Sequence, residues 1–277
     1  MLDGTEHWCQ LFSEPDAGSD LASLTTRAVR DGDDYVVTGQ KIWSTWAYRS
    51  QWGILLARTD PSADNQHGIS YFVLDMGSPG VEVRTITEMT GGAHFCEVFL
   101  TDVRVPAGHR IGEENDGWRL AKVTLGNERV SLSQGGVLWG MGPQSHELFT
   151  LIADRGGIAD PQLRQRAAAT FTHATILRLL GYRILTAQMA GRDPGPEASI
   201  RKTLADVHGQ RVTGLERDLR GAAGMLGAAG PDAGDRDVWT WGFLFSPALT
   251  IGGGTSEVQR NIIAERLLGL PREPKVA

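Results

Sequence analysis

The sequence predicts a two-domain protein, with a β-barrel or β-sandwich domain over residues 1–111 and an antiparallel four-helix bundle over residues 112–277. Short segments rich in branched and aromatic residues, separated by turn clusters, fill the first part. After Pro106, long segments follow in which apolar residues recur at helical spacing. A length of 277 residues accommodates two domains with ordinary cores.

The clearest sign of β-structure is Asp31-Gly-Asp-Asp34, a turn sequence that lies between two β-prone segments and predicts a hairpin. Its strands are predicted at Thr25–Val29 and Tyr35–Thr38. Four further strands are predicted from their composition and from the turn clusters between them: Trp52–Arg58, Gly68–Leu74, Val81–Ile86 and Glu97–Leu100. Short strands at this spacing favour a sandwich or a barrel.

The C-terminal part carries helical periodicity in four segments: 117–125, 162–191, 197–220 and 255–268. Pro194 and Pro196 mark one predicted connection, and residues 231–237 mark another. Long helices with short links indicate an antiparallel bundle. Residues 271–277 are predicted to be a frayed tail.

Composition excludes several classes of function. The net charge of -6, with no basic cluster, argues against general nucleic-acid binding, which depends on neutralising phosphates. The two cysteines, Cys9 and Cys96, have neither the number nor the spacing of a disulfide framework or a zinc site. No apolar run is long enough to cross a bilayer, and the first residues lack the pattern of a signal peptide. We therefore expect a cytoplasmic protein without membrane insertion.

A glycine-rich junction, Ile251–Arg260, is the strongest candidate for a binding site. Three glycines lead directly into Thr255, Ser256 and a helix, so that backbone N–H groups can approach a phosphate or a carbonyl oxygen. The alternative is a flexible connector followed by an ordinary N-cap at Thr255 or Ser256. The residues of this junction leave both interpretations open.

Two further stretches have the composition of ligand-binding loops. The turn-rich segment Ser13–Asp20 can present backbone N–H groups to an anion, although Asp20 can also simply cap a turn. In Gly39–Trp46, the indole of Trp43 can cover a planar heterocycle, and the neighbouring hydroxyls can bond a ring nitrogen. The alternative is that Trp43 and Trp46 belong to the core of the β domain.

Together with residues 91–99, 103–106 and 112–118, these stretches resemble the acyl-CoA dehydrogenase family in content and in order. The resemblance extends from Trp8 to Arg272. It implies a middle β domain, a C-terminal four-helix bundle, bound FAD, and oxidation of an acyl-CoA thioester to its trans-2-enoyl form. It also implies an electron-transfer flavoprotein as the electron acceptor.

The resemblance assigns roles to individual residues. In the β domain, the flavin would be contacted by Leu11, Phe12, Ser13, Trp43, Ser44 and Thr45, and Ser19 would contact the CoA or pyrophosphate end. In the bundle, Arg155 would reach the FAD of a neighbouring subunit, although an aromatic residue usually follows that arginine and Gly156 stands here. The adenosine and pyrophosphate contacts would come from Gly221, Thr255 and Glu257.

The resemblance implies that Glu128 is the catalytic base. Many family members place a glutamate directly before the Gly-Thr-Ser turn, where this chain has Gly253, which has no side chain. A subgroup instead supplies the glutamate from a helix near the start of the bundle, at the position of Glu128. The resemblance further assigns the thioester oxygen to the Gly253 N–H and the CoA portion to Arg129. Without the resemblance, Glu128 is interpreted as an ordinary first-turn helix residue, with Arg129 solvated beside it.

Family members usually begin with a further helical domain, of which this sequence contains no counterpart before Trp8. We therefore expect exposed apolar surface and assembly as a homo- or hetero-oligomer. Two alternatives to an active dehydrogenase remain. One is a noncatalytic or truncated subunit of a heteromeric acyl-CoA dehydrogenase, and the other is a related flavin monooxygenase or DNA-associated homologue.

Overall fold

The computed structural model describes residues 3–134, 136–192, 195–225 and 237–272. By its internal contacts the chain divides into two compact units, Met1–Thr124 and Leu125–Ala277. We call them the β unit and the helical unit. The domain boundary between residues 111 and 112 stays a prediction. Pro194, residues 231–236 and most of the predicted tail, 273–277, lie outside the described residues.

The β unit is built on one mixed sheet of eight strands, in the order β6-β7-β3-β2-β4-β5-β8 with β1 beside β4. The strands are β1 Trp8–Leu11, β2 Arg27–Asp31, β3 Asp34–Thr45, β4 Trp52–Arg58, β5 Ile69–Asp75, β6 Val81–Ile86, β7 Phe95–Pro106 and β8 Arg110–Ile111. Strand β4 pairs in parallel with β1 and β2, and the other pairs are antiparallel. The two terminal strands, β6 and β8, do not pair with each other in the described chain. The predicted β domain is confirmed, and its sheet is open.

The predicted hairpin is confirmed. Strands β2 and β3 pair antiparallel up to the residue pair Asp31 and Asp34, and Gly32 occupies the turn with a φ of 63°. Apolar side chains of β3 and its neighbours fill the core of the unit, where the rings of Tyr35 and Phe72 meet edge to face at 5.0 Å. Both cysteines are buried and free, as expected from their spacing.

The helical unit is organised around one long central helix. The helices of the chain are α1 Gly117–Gln134, α2 Ser145–Asp154, α3 Pro161–Met189, α4 Glu197–Arg220, α5 Val238–Phe245 and α6 Ser256–Ile262, which a π-helical turn over Ile263–Leu267 continues. Helix α4 packs against α2, α3, α5 and α6. All four predicted helices are present, and α1 runs on to Gln134, beyond the predicted end at Leu125.

The structure contains two helices, α2 and α5, that the sequence did not predict. Helix α2 begins with a reciprocal capping box between Gln144 and Glu147, a signal that the pattern of apolar residues alone does not reveal. Helix α5 has the sequence VWTWGFLF, in which apolar residues occur on nearly every side, so that there is no helical period to detect. Within the described ranges, no helix is long and apolar enough to cross a membrane. The same ranges contain no group of three metal-binding side chains.

Candidate functional site

Trp43 lies at a β-bulge. The register between β3 and β7 shifts between Lys41 and Ser44, and Trp43 has a φ of 61°, which is rare for a residue with a bulky side chain. The bulge leaves 57% of Trp43 exposed, with its indole edge to face with Phe95 at 5.9 Å. Trp46 is 37% exposed. The interpretation of both tryptophans as core residues is therefore wrong, and the strained backbone at Trp43 points to a functional role.

The two hydroxyls beside Trp43 have opposite environments. Thr45 is exposed, and it lies two residues from Trp43 along the strand. Ser44 is 1% exposed, and its Oγ has no hydrogen-bond partner among the described residues. A ligand that lies over Trp43 can therefore reach the Thr45 hydroxyl, whereas the Ser44 side chain is turned away from solvent. The predicted flavin contact of Ser44 would have to come from its backbone.

The Ser13–Asp20 loop is fastened to β3 beside the bulge. The Ile42 N–H donates to the carbonyl of Ser13 at 2.9 Å, and the Lys41 ammonium donates to the carbonyl of Phe12 at 3.0 Å. The structure thus brings together two segments that were singled out separately from the sequence. The side chains of Leu11 and Phe12 are buried, so those two residues offer only backbone groups, while Ser13 is half-buried and Ser19 is exposed.

A buried ion pair holds this arrangement in place. The Lys41 ammonium lies 2.8 Å from Glu14 Oε1, and the two side chains are 0% and 5% exposed. The Glu14 carboxylate also accepts hydrogen bonds from the backbone N–H groups of Thr25 and Thr26, at 2.7 and 2.9 Å. Burial by itself would raise the pKa of Glu14, but the charge and hydrogen bond of Lys41 and the threonine donors lower it to about 2. The pair was missed because Lys41 was not recognised as an inward-facing position of β3.

We expect Glu14 to make the β unit sensitive to acid. Its pKa falls from an ordinary value of 4.5 to about 2 on folding, so its stabilisation is complete above about pH 4.5 and is lost as the pH falls toward 2. A shift of this size corresponds to about 3 kcal/mol of free energy of unfolding. Urea denaturation of wild type and Glu14→Gln at about pH 6 and about pH 2.5 measures this contribution. The difference in free energy of unfolding between the two proteins should be smaller at the lower pH. An equal difference in free energy of unfolding at both pH values would contradict this role of Glu14.

In the helical unit, the glycine junction is tightly packed. Gly253 and Gly254 have φ values of 66° and 90°. A Cβ atom at position 252 would lie 2.6 Å from the Trp139 ring, one at 253 would lie 2.5 Å from Leu132 Cδ1, and one at 254 would lie 2.5 Å from Gln259 Nε2. Close packing against the Trp139 ring favours glycine at 252, and the positive φ values favour glycine at 253 and 254, so that these packed glycines do not form a flexible connector.

Buried side chains bind the carbonyl groups of this junction. The Lys202 ammonium donates to the carbonyls of Gly254 at 2.9 Å and Leu249 at 3.1 Å, and it pairs with Asp206 at 2.7 Å. Gln259 Nε2 donates to the carbonyl of Gly253 at 3.0 Å. Among the described residues, the N–H groups of Gly253 and Gly254 have no acceptor. The junction thus leaves two N–H donors available to a ligand, and such donors suit a site where negative charge develops.

Lys202 and Asp206 were also missed in the sequence. Both lie on the buried face of α4, four residues apart, among apolar positions such as Ala198, Ala205 and Val212. A lysine and an aspartate at this spacing on the apolar side of a helix form a recognisable signal of a buried pair. Burial raises the pKa of Asp206 to about 6, although the hydrogen bond and charge of Lys202 lower it.

Glu128 lies in the middle of α1, far from its first turn at Gly117, so its interpretation as a first-turn residue is wrong. Leu132, which contacts the Gly253 position, is one helical turn after Glu128 and on the same face. The face of α1 that carries the predicted base thus also carries a side chain that contacts the predicted N–H donor's residue.

Arg129 is half-buried, and its Nε has no hydrogen-bond partner among the described residues. Burial lowers the pKa of Arg129, and the nearby charge of Arg266 lowers it further, while Glu128 raises it. Two arginine charges close together, one of them with an unsatisfied donor, suit an anionic ligand.

The remaining predicted contacts lie at the ends of helices. Arg155 is the exposed C-cap of α2 and forms no ion pair within the described ranges. Gly221, the C-cap of α4, has φ 58° and ψ −131°, a conformation that favours glycine, and it lines a cavity of about 360 Å³ with Arg217, Asp218 and Met225.

Thr255 and Glu257, the two predicted contacts at the start of α6, each bond to a neighbouring residue of that helix. The Thr255 hydroxyl caps α6 by accepting from the Val258 N–H at 3.2 Å, as the N-cap prediction requires. Glu257 is exposed and pairs with Arg260 at 3.0 Å. Exposed pairs of this kind are weak, so that Glu257 stays available to a ligand.

Comparison with protein families gives two matches that together cover most of the chain. Residues 9–103 match the acyl-CoA dehydrogenase middle domain, and residues 115–268 match the acyl-CoA dehydrogenase C-terminal domain. The chain is 42% identical over 265 residues to acyl-CoA dehydrogenase FadE34 of Mycobacterium tuberculosis, a match that includes 96% of this chain. It spans only 35% of the length of that relative.

Solved structures give a similar result. A structure described as the Tcur3481-Tcur3483 steroid ACAD superimposes with a TM-score of 0.87 at 31% identity, covering 98% of this chain and 70% of the other. The ChsE4-ChsE5 complex from Mycobacterium tuberculosis superimposes with a TM-score of 0.82 at 33% identity, covering 97% of this chain and 70% of the other.

Proposed function

Because this chain belongs to the acyl-CoA dehydrogenase family, we propose that it carries out α,β-dehydrogenation of an acyl-CoA thioester to the trans-2-enoyl-CoA, with Glu128 as the catalytic base. The observation that carries the proposal is the contact of Leu132, one turn after Glu128, with the Gly253 position. A carboxylate and a pair of fixed N–H donors are the groups that proton removal next to a thioester carbonyl requires.

Each residue has a distinct task in this reaction. The Glu128 carboxylate removes the proton from the α-carbon of the thioester. The Gly253 N–H donates a hydrogen bond to the thioester oxygen, where negative charge develops as the proton leaves. Lys202 and Gln259 hold the carbonyls of Gly254 and Gly253, which restrains the backbone that directly follows this N–H. FAD, when bound, supplies the acceptor for the hydride from the β-carbon.

The residues present fit a flavin cofactor. In the β unit, the exposed indole of Trp43 and the exposed hydroxyl of Thr45 would contact the ring system, with Leu11, Phe12, Ser13 and Ser44 beside it. In the helical unit, the adenosine half, including that of a neighbouring subunit, would be held by Arg155, Gly221, Thr255 and Glu257. The glycine-favouring backbone at Gly221, beside a cavity, supports this assignment.

We further propose which residues bind CoA, which acyl group is the substrate and which proteins are the partners. Ser19 and Arg129 would bind the CoA portion, and the unsatisfied donor of Arg129 supports that role. The similarity to a structure described as a steroid ACAD makes a steroid-derived acyl group the first substrate class to test. The similarity to a complex of two proteins supports a homo- or hetero-oligomer. We propose an electron-transfer flavoprotein as the electron acceptor, and a cytoplasmic location because both cysteines are free.

We expect the correctly assembled protein to contain FAD and not FMN. The predicted contacts of the helical unit bind an adenosine half, which FMN lacks. The measurement is the absorbance spectrum of the purified assembly, followed by chromatography of the flavin released on denaturation. FMN, or no flavin, from a correctly assembled and active preparation would contradict the assignment. Absence of flavin from an inactive but well-folded assembly would instead favour the noncatalytic subunit.

A further inference from the structure

A surface cavity of about 450 Å³ lies in the helical unit, between the C-terminal end of α1 and helices α2, α3 and α4, and one of its lining residues, Phe171, is 59% exposed. We call it the α2–α4 cavity. One wall is apolar: the rings of Phe149 and Phe171 meet edge to face at 5.4 Å, and Val137 and Leu177 are buried beside them. Its volume is within the range of small-molecule sites, which are mostly apolar with a few placed polar groups.

The charged part of the lining is basic. Arg178 and Arg201 both line the α2–α4 cavity, and none of its described lining residues is acidic. Arg201 is half-buried, and among the described residues its guanidinium donates only to neutral acceptors, the Leu177 carbonyl at 3.3 Å and Ser133 Oγ at 3.1 Å. Burial lowers the pKa of Arg201. In contrast, the fully buried ammonium groups of Lys41 and Lys202 each pair with a carboxylate.

A buried histidine with an unsatisfied nitrogen also lines the α2–α4 cavity. His208 is 3% exposed, its Nε2 lies 2.7 Å from Ser145 Oγ, and its Nδ1 has no hydrogen-bond partner among the described residues. Buried polar atoms are rarely left unpaired, so that this nitrogen calls for a bound water or a ligand atom. Ser145 and His146 add the first N–H groups of α2, which favour a negative charge.

We propose that the α2–α4 cavity binds a small amphipathic carboxylate, with the anionic group on Arg201 and an aromatic or branched apolar body against Phe149 and Phe171. The planar guanidinium of Arg201 matches a carboxylate in geometry, and the carboxylate of the ligand supplies the charge partner that Arg201 lacks among the described residues. A cation is disfavoured because the described lining contains no acidic residue. This site is separate from the proposed dehydrogenase chemistry, since it uses neither Glu128 nor the glycine junction.

The test uses 4-phenylbutyrate as the probe and its uncharged counterpart 4-phenylbutanol as the ligand control. Calorimetric titration of the intact assembly should show saturable binding of one 4-phenylbutyrate for each chain. We expect the alcohol to bind roughly tenfold more weakly or worse, and Arg201→Gln to weaken binding of the acid by a similar factor. Arg183→Gln, on an exposed part of α3 that does not line the cavity, is the matched control and should leave binding unchanged.

The proposal is overturned if wild type shows no saturable binding, if the alcohol binds as tightly as the acid, or if Arg201→Gln binds like wild type. If Arg201→Gln does not fold, Ala174→Leu decides, because it narrows the α2–α4 cavity and keeps its charges. Binding should then be lost, and retained binding refutes the site. Acyl-CoA affinity should stay unchanged in these variants. A failure of wild type to bind any acyl-CoA would count against the proposed dehydrogenase but not against this site.

Discussion

Glu128→Gln is expected to lower the rate of dehydrogenation by about a hundredfold to ten-thousandfold, the usual loss when a positioned acid or base is removed. Glutamine keeps the size and the hydrogen-bonding capacity of Glu128 but cannot accept the α-proton. Flavin binding should therefore persist. The measurements are α-proton exchange of a bound acyl-CoA in deuterated buffer and bleaching of the flavin absorbance. Glu197→Gln, at another half-buried helical glutamate, the first residue of α4, is the matched control and should retain both.

Near wild-type rates of exchange and bleaching in Glu128→Gln would show that another group is the base. A companion variant, Gly253→Glu, restores a carboxylate at the other position that the family uses. The structure shows that it is strained, because Gly253 has a φ of 66° and Leu132 Cδ1 lies 2.5 Å from the position of a new Cβ. Combining Gly253→Glu with Leu132→Ala relieves the side-chain contact, so that this pair, added to Glu128→Gln, is the better test of rescue.

Lys202→Met is expected to lower the free energy of unfolding by about 3–5 kcal/mol, the usual cost of removing one partner of a buried ion pair. Asp206 would be left buried without its counter-charge, and the carbonyls of Leu249 and Gly254 would lose their donor. Urea denaturation followed by far-UV circular dichroism measures the change. Lys122→Met, an exposed lysine in α1, is the matched control and should cost less than about 0.5 kcal/mol.

A double variant separates the two contributions of Lys202. Lys202→Met with Asp206→Leu removes both charges, so that no unpaired charge stays buried, and much of the lost stability should return. The carbonyls of the glycine junction would still lack their donor, and the dehydrogenation rate should stay low even where stability recovers. If Lys202→Met unfolds like Lys122→Met, the pair does not hold the junction.

Local patterns in the sequence were sufficient for much of the fold. The turn at Asp31–Asp34 determined the β2–β3 hairpin, because Gly32 adopts without strain the positive φ that a tight turn between two β-prone segments requires. Helices α3 and α4 followed from apolar spacing and the flanking prolines. Helix α5 did not, because a segment that is apolar on every side is compatible with a buried strand or a buried helix.

The candidate site shows a similar division. The sequence by itself determined that the chain has two parts of different structure, that Trp43 and Thr45 are adjacent, and that the glycine junction precedes a capped helix. Only the tertiary structure decided that Trp43 is exposed at a bulge, that Glu14 meets Lys41, and that Leu132, one turn after Glu128, contacts the Gly253 position. The hydrogen bonds of turns and helices and the periodicity of apolar residues involve residues that are close together in the chain, so that the sequence alone reveals them. Pairing across a register shift, and the burial of opposite charges against each other, depend on residues that are far apart in the chain and meet only when it folds.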